Sequence, residues 1–213
     1  MLDAVHATAK METHVYVAVD DDDPELDRYQ YVMNKAGADG DVLTAGPRKG
    51  LAGWTNEIAV GQAGAYPYLA SLGDDHVPYT PGWDRALVNA IVRMGGTGFA
   101  YPWDATREDI PEAVVLSSDI VKALGWMCEP TLSHWYVDNV WADLGWGIGG
   151  LRHLRAIKVE HAWKADQTSK DSGEKMEADR RAYFSWRTER MAQDIAVLAG
   201  LKQVPVNPDV HVG

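Results

Sequence analysis

Five consecutive segments between His14 and Asp75 switch regularly between the two backbone periods, and this alternation restricts the fold more than any other feature of the chain. "HVYVAVD" (His14 to Asp20) alternates and is rich in valine, the pattern of a strand. "PELDRYQYVMNKAG" follows as a helix, with Pro24 in its first turn and Gly37 as its stop. "DVLTAGP" reads as a short strand, "LAGWTNEIAVGQAG" as a helix entered through "PRKG", and "AYPYLASLGDD" as a further strand. Strand, helix, strand, helix, strand implies an α/β fold with a mainly parallel sheet covered by helices.

The rest of the chain continues in the same manner. "GWDRALVNAIVRMG" is expected as a helix, "TGFAYPWD" as a strand or loop, and "AVVLSSDIVKALGW" as a strand passing into a helix capped by Ser117, Ser118 or Asp119. "YVDNVWADLGWGIGG" reads as a helix with Asp138 in its first turn, and "LRAIKVEHAW" as a strand ending in Glu160 and His161. A polar, mobile loop and one long amphipathic helix are expected from "DQTSKDSGEKMEADRRAYFSWRTERMAQDIAVLAG", and an extended tail from "VPVNPDVHVG".

In parallel α/β sheets ligands bind beyond the carboxyl ends of the strands. Acid clusters stand at two of those ends. Asp20 to Asp23 closes the first strand, and Asp74-Asp75-His76 closes the third. Asp74, Asp75 and His76 offer hard oxygens and an imidazole in one turn, a ligand set suited to Mg²⁺ or Mn²⁺. Glu160 and His161 repeat that pairing at another strand end. The competing reading is a solvated turn, and for Asp23 and Glu25 acids that meet the helix dipole.

"GPRKG" (Gly46 to Gly50) places Arg48 and Lys49 between glycines directly ahead of a helix, a plausible diphosphate cradle or else a basic surface turn. Asp138 has aromatic neighbours on both sides, which suits a general base, and its place at a helix start also suits an N-cap. The nine tryptophans serve either as core or as stacking platforms, and His6, His14 and His211 read as structural or solvated.

Net charge is -11, from 31 acids against 20 bases, so the overall field repels nucleic acid and anionic membrane. Bases are in local excess only near the C-terminal end. A single cysteine, Cys128, excludes an internal disulfide and fits a reducing cytoplasm. No run approaches the roughly eighteen apolar residues of a membrane helix, and "MLDAVHATAK" is no signal peptide, so a soluble cytoplasmic protein without a membrane span is expected.

Taken in order, "VYVAVDDDDPELDRY", "GPRKGLAGWTNEIA", "YLASLGDDHVPYTPGWDRAL", "AVVLSSDIVKALGW", "HWYVDNVWADLG" and "VEHAW" resemble the GT-A class of nucleotide-sugar-dependent glycosyltransferases, in particular small family-2-like members of phages and actinobacteria. The resemblance covers residues 1 to 165 and implies a Rossmann-like GT-A catalytic domain there. Residues 166 to 213 are expected to pack on the same domain. Such proteins begin with a strand and an arginine-rich loop, whereas "MLDAVHATA" resembles the helix that follows. Either an upstream start was lost or the first strand is missing, and a sheet lacking that strand is expected to have an unsatisfied edge and a weaker nucleotide pocket.

The resemblance implies roles position by position. Asp20 and Asp21 match acids that contact the nucleotide base and ribose, and Arg48, Lys49 and Asn56 fall where the donor pocket is lined. Asp74 and Asp75 occupy the D-x-D position, whose acids hold a divalent cation, Mn²⁺ or Mg²⁺, on the donor diphosphate. Asp138 matches the base that deprotonates the acceptor hydroxyl in inverting members, and His161 a late metal ligand. The segment from Ala113 to Trp126 corresponds to one beside the acceptor. Because the element reads Gly73-Asp74-Asp75-His76, His76 stays open as a ligand beside His161.

The implied reaction moves a sugar from a nucleoside diphosphate sugar to a hydroxyl, in the cytoplasm of a bacterium or phage-infected host. Candidate acceptors are a hydroxymethylated DNA base or a phage or envelope component. Arg180, Arg181, Arg187 and Arg190 could touch phosphate, although interleaved acids favour a solvated face. A nucleotidyltransferase and a catalytically degenerate nucleotide-sugar-binding module are the alternatives.

Overall fold

The computed structural model describes residues 1–104, 109–161 and 172–202. The polar loop expected ahead of the C-terminal helix and the extended tail lie outside these residues, as do Trp163 and His211. Helix α1 (Leu2–Thr8) leads into β1 (Tyr16–Asp20), α2 (Leu26–Ala36), β2 (Val42–Gly46), α3 (Gly50–Gln62) and β3 (Tyr68–Ser71). From β1 to β3 these are the segments the alternation predicts. Gly37 ends α2 in extended backbone, with its N–H on the Met33 carbonyl at 2.8 Å.

Strands β1 and β2 are parallel, Tyr16 opposite Val42 through Asp20 opposite Gly46. The buried Asp41 carboxylate ties this unit to the rest. It accepts the Val15 N–H at 2.7 Å, the Ala38 N–H at 2.9 Å and the His6 ring at 2.7 Å.

The second half comprises β4 (His76–Pro78), α4 (Trp83–Arg93), β5 (Phe99–Trp103), β6 (Val114–Ser117), α5 (Ser118–Leu124), α6 (Val137–Gly147) and β7 (Leu151–His161). It ends with α7 (Ser172–Glu189) and α8 (Met191–Lys202). The one long C-terminal helix expected from the sequence is two helices that meet at Arg190. Trp186 donates its indole N–H across the joint to Asp194 at 2.8 Å, and Arg190 reaches back to Glu129 at 3.1 Å.

The sheets correct the expectation of mainly parallel pairing. Among the described residues β1 and β2 form a separate two-stranded sheet, and the order β3-β6-β5-β7-β4 forms a mixed five-stranded one. Within the latter only β5 and β7 run parallel, while β3–β6, β5–β6 and β4–β7 are antiparallel. The helix crossovers that enforce parallel pairing are present early in the chain, and later strands return by other routes.

Alternation across β5 and β6 divides the core in two. Phe99, Val114 and Leu116 face Ile120, Trp126, Val140, Trp141, Leu144 and Leu198. Ala100 and Val115 face Val5, Trp83, Leu87 and Ile91 of α1 and α4. Pro102 cannot donate to a ladder, and the register breaks there: Pro102 pairs with Leu154 but Trp103 with Lys158. Beyond this bulge β7 pairs with β4 and sets His161 opposite His76. No helix among the described residues is long and apolar enough to cross a membrane.

Candidate functional site

The turn from β3 to β4 needs close backbone approach. A β-carbon at Gly73 would lie 2.7 Å from both Asp75 Oδ1 and His76 Nδ1. With glycine there, the Gly73 N–H donates to His76 Nδ1 at 2.9 Å. His76 is buried, and its ring stacks on His161 with centroids 4.5 Å apart and planes 14° from parallel. Because Nδ1 accepts a hydrogen bond, the neutral His76 ring carries its proton on Nε2. Neither nitrogen then presents a lone pair to a cation, and His76 serves as the floor under His161.

His161 is the hub. Its Nε2 lies 2.9 Å from Asp75 Oδ2, its Nδ1 lies 3.3 Å from Glu112 Oε2, and its backbone N–H donates to Asp104 Oδ2 at 3.0 Å. Two groups of potential ligands share it, Asp75-His76-His161 and Asp104-Glu112-His161, each with donor atoms within 4.8 Å of one another. Burial alone would lower the His161 pKa, but the nearby Asp75 and Glu112 carboxylates outweigh it and hold the imidazole above its ordinary value. His76 is shifted the other way, by burial first and then by His161. Carboxylate oxygens with one imidazole can hold a divalent cation; on the Nε2 side of His161 Asp75 and His161 would hold it, and Asp104 and Glu112 form the separate group that shares the ring.

The parallel ends of β1 and β2 build a second cluster. Asp20 Oδ1 accepts the Trp54 indole N–H at 2.8 Å, and Arg48 Nε lies 3.5 Å from Asp20 Oδ2. Arg48 also reaches Asp22 at 3.3 Å. Lys49 pairs with Glu57 and stands 4.4 Å from the centre of the Trp54 ring. Asp21 is exposed, and its N–H bonds the Gly46 carbonyl at 2.8 Å. Asp23 accepts the Glu25 N–H at 2.7 Å and so serves the start of α2.

Burial and then the fields of Asp23 and Asp74 raise the phenol pKa of Tyr29 of α2. Asp74 itself is exposed.

Asn56 points elsewhere. Its Oδ1 accepts the N–H groups of Met127 and Cys128, both at 2.8 Å, and its Nδ2 donates to the Cys128 carbonyl at 2.8 Å. Its amide holds that loop against α3. Asp138 stands in the first turn of α6, where its Oδ1 accepts the Asn139 N–H at 2.9 Å. The N-cap position belongs to Tyr136, with φ 67°.

Asp75 and His161 are thus brought together, as are Asp20 and Arg48, while Asp138 belongs to a third element. Two clefts of about 420 and 220 Å³, one along α2 beside Gln30 and Asn34 and one beside Trp186 of α7, lie apart from the Asp75–His161 pair. Asp104 and Glu112 are site residues that the sequence did not point to. Asp104 ends a strand in acid, the same signal that singles out Asp20. Glu112 sits in a loop and carries no such signal.

The chain matches no model of a known protein family and no curated protein sequence.

Proposed function

We propose that the protein is a metal-dependent glycosyltransferase of GT-A type that moves a sugar from a nucleoside diphosphate sugar to an acceptor hydroxyl with inversion. The observation that carries this reading is the 2.9 Å approach of His161 Nε2 to Asp75 Oδ2, two residues that the resemblance independently names as ligands of one cation. The ordered motif blocks and the Arg48–Asp20 cluster at the ends of β1 and β2 add support.

In this reading Asp75 and His161 would hold a divalent cation, which would supply positive charge against the departing diphosphate. Glu112 holds the Nδ1 side of His161, which keeps Nε2 facing Asp75. Arg48 and Lys49, ahead of the N-terminus of α3, bind the anionic donor. Asp20 and Asp21 orient its nucleoside. Asp138 takes the proton from the acceptor hydroxyl as its oxygen attacks the anomeric carbon from the face opposite the leaving group.

The acceptor hydroxyl belongs to a hydroxymethylated DNA base or to a phage or envelope component; Arg180 and Arg181 pair with Glu177, Arg187 with Asp143 and Arg190 with Glu129.

The test is a thermal-shift screen of nucleoside diphosphate sugars with and without Mn²⁺, since a ligand that binds only the folded state raises the Tm. At least one donor should raise the Tm with Mn²⁺ and not without it, and the shift should vanish in Asp75→Asn. A panel with no Mn²⁺-dependent shift overturns the proposal.

A further inference from the structure

Helix α7 crosses the segment that leads into α6, and Asp179 is buried at the crossing with 3% exposure. Its carboxylate accepts three successive backbone N–H groups, those of Ser133 at 3.0 Å, His134 at 2.9 Å and Trp135 at 2.8 Å. The Ser133 hydroxyl adds contacts at 3.1 and 2.9 Å to its two oxygens. Three consecutive amides aimed at one acceptor require a particular backbone path, and a charged acceptor makes such bonds strong.

The next residue, Tyr136, is the one non-glycine residue with positive φ among the described residues. Left-handed backbone at such a residue is strained and persists only where the surroundings enforce it. The enforcing groups are on α7. The Tyr136 ring stacks on Tyr183, with centroids 5.1 Å apart and planes 19° from parallel. Tyr183 donates its hydroxyl to Asp143 of α6 at 2.8 Å, and Arg187 pairs with Asp143 at 2.9 Å. Asp179, Tyr183 and Arg187 follow one another at four-residue spacing, so one face of α7 grips both the entry and the second turn of α6. On the other side the Ser133 carbonyl accepts the Ala52 N–H at 3.1 Å, in the first turn of α3. A β-carbon at Gly50 would meet that same carbonyl at 2.9 Å. The segment that Asp179 shapes therefore touches both the Arg48–Lys49 loop's helix and the turn that carries Asp138.

We propose that Asp179 is a positioning residue: from α7 it sets the backbone of residues 133–136 and thereby where Asp138 stands, which makes α7 a working part of the site. This rests on the reading of Asp138 as the base, and the test separates the two. Asp179→Asn keeps the size of the side chain but puts an NH₂ group where one oxygen accepted amides.

Amide hydrogen exchange on wild-type and variant protein is the first readout. Protection at residues 133–139 should fall about tenfold or more in Asp179→Asn while β5, β6 and α4 keep theirs. Unchanged protection, or a loss spread evenly over the core, overturns the proposal. Turnover of a donor found in the screen is the second. It should show kcat reduced about tenfold or more with donor KM within about twofold, the pattern of lost transition-state stabilisation. An equal kcat with raised KM overturns the link to Asp138. If no donor turns over in the wild type, the function reading fails and hydrogen exchange alone decides whether Asp179 sets this segment. Ser133→Ala, which removes only the hydroxyl, is the milder variant should Asp179→Asn not fold, and it should give the same local pattern at smaller amplitude.

Discussion

His161 Nε2 and Asp75 Oδ2 lie 2.9 Å apart although the residues are separated by 86 positions in the chain. The approach depends on the antiparallel pairing of β4 with β7, which sets His76 opposite His161 and stacks the two rings. Gly73 completes it by letting its N–H reach His76 Nδ1. One histidine is thus consumed as a support so that the other can present Nε2 to the carboxylate.

This division of labour predicts an asymmetry between the two rings. His76→Asn keeps an acceptor for the Gly73 N–H and should retain Mn²⁺ binding, at a stability cost of about 1–2 kcal/mol for the lost ring packing. His161→Asn should lose Mn²⁺ binding at comparable stability. Titration calorimetry with Mn²⁺, beside thermal unfolding of each variant, checks both. Equal metal affinity in the two variants would refute the assignment.

Asn56 offers a second contrast. Its three hydrogen bonds to the backbone of Met127 and Cys128 make it a structural residue. Asn56→Ala strands two N–H groups and a carbonyl, and should cost about 1–3 kcal/mol in denaturant unfolding. Donor affinity per folded molecule should stay within about twofold of wild type. A tenfold weaker donor affinity with normal stability would return Asn56 to the donor pocket.

Acid should expose the Asp41 link between α1, β1 and β2. Burial alone would raise the Asp41 pKa, but the amides of Val15 and Ala38 and the His6 ring outweigh it and hold the carboxyl below its ordinary value. A depressed carboxylate stabilises fully above its unfolded pKa, near 4, and that contribution is lost as pH falls through the lower folded value. Wild-type stability should therefore decline below about pH 4, and Asp41→Asn should start about 1–3 kcal/mol less stable with a shallower acid slope. Chemical unfolding at pH steps from 6 downward measures this, and parallel curves for the two proteins would count against it.

Local pattern made β1, α2, β2, α3 and β3 legible because each has its own period and punctuation, such as Pro24 at the entry of α2 and Gly37 at its end. Strand direction was not legible. Val114 to Ser117 of β6 are all buried and read as strand in either orientation, so the antiparallel pairings could not be inferred from them. Within the site, Asp75 and His161 were visible as acids or imidazoles at strand ends. Glu112 was not, because a loop residue has no period to place it. Asn56 lay at a position the resemblance marks for the donor, but a position does not say which way a side chain turns.

The most direct test of the account counts bound Mn²⁺ by the electron paramagnetic resonance of the free ion, with wild type, Asp75→Asn and His161→Asn at equal folded concentration and saturating nucleoside diphosphate. One Mn²⁺ should be retained per wild-type chain and released in both variants. Retention by the variants at the wild-type level, or none by the wild type, would contradict it.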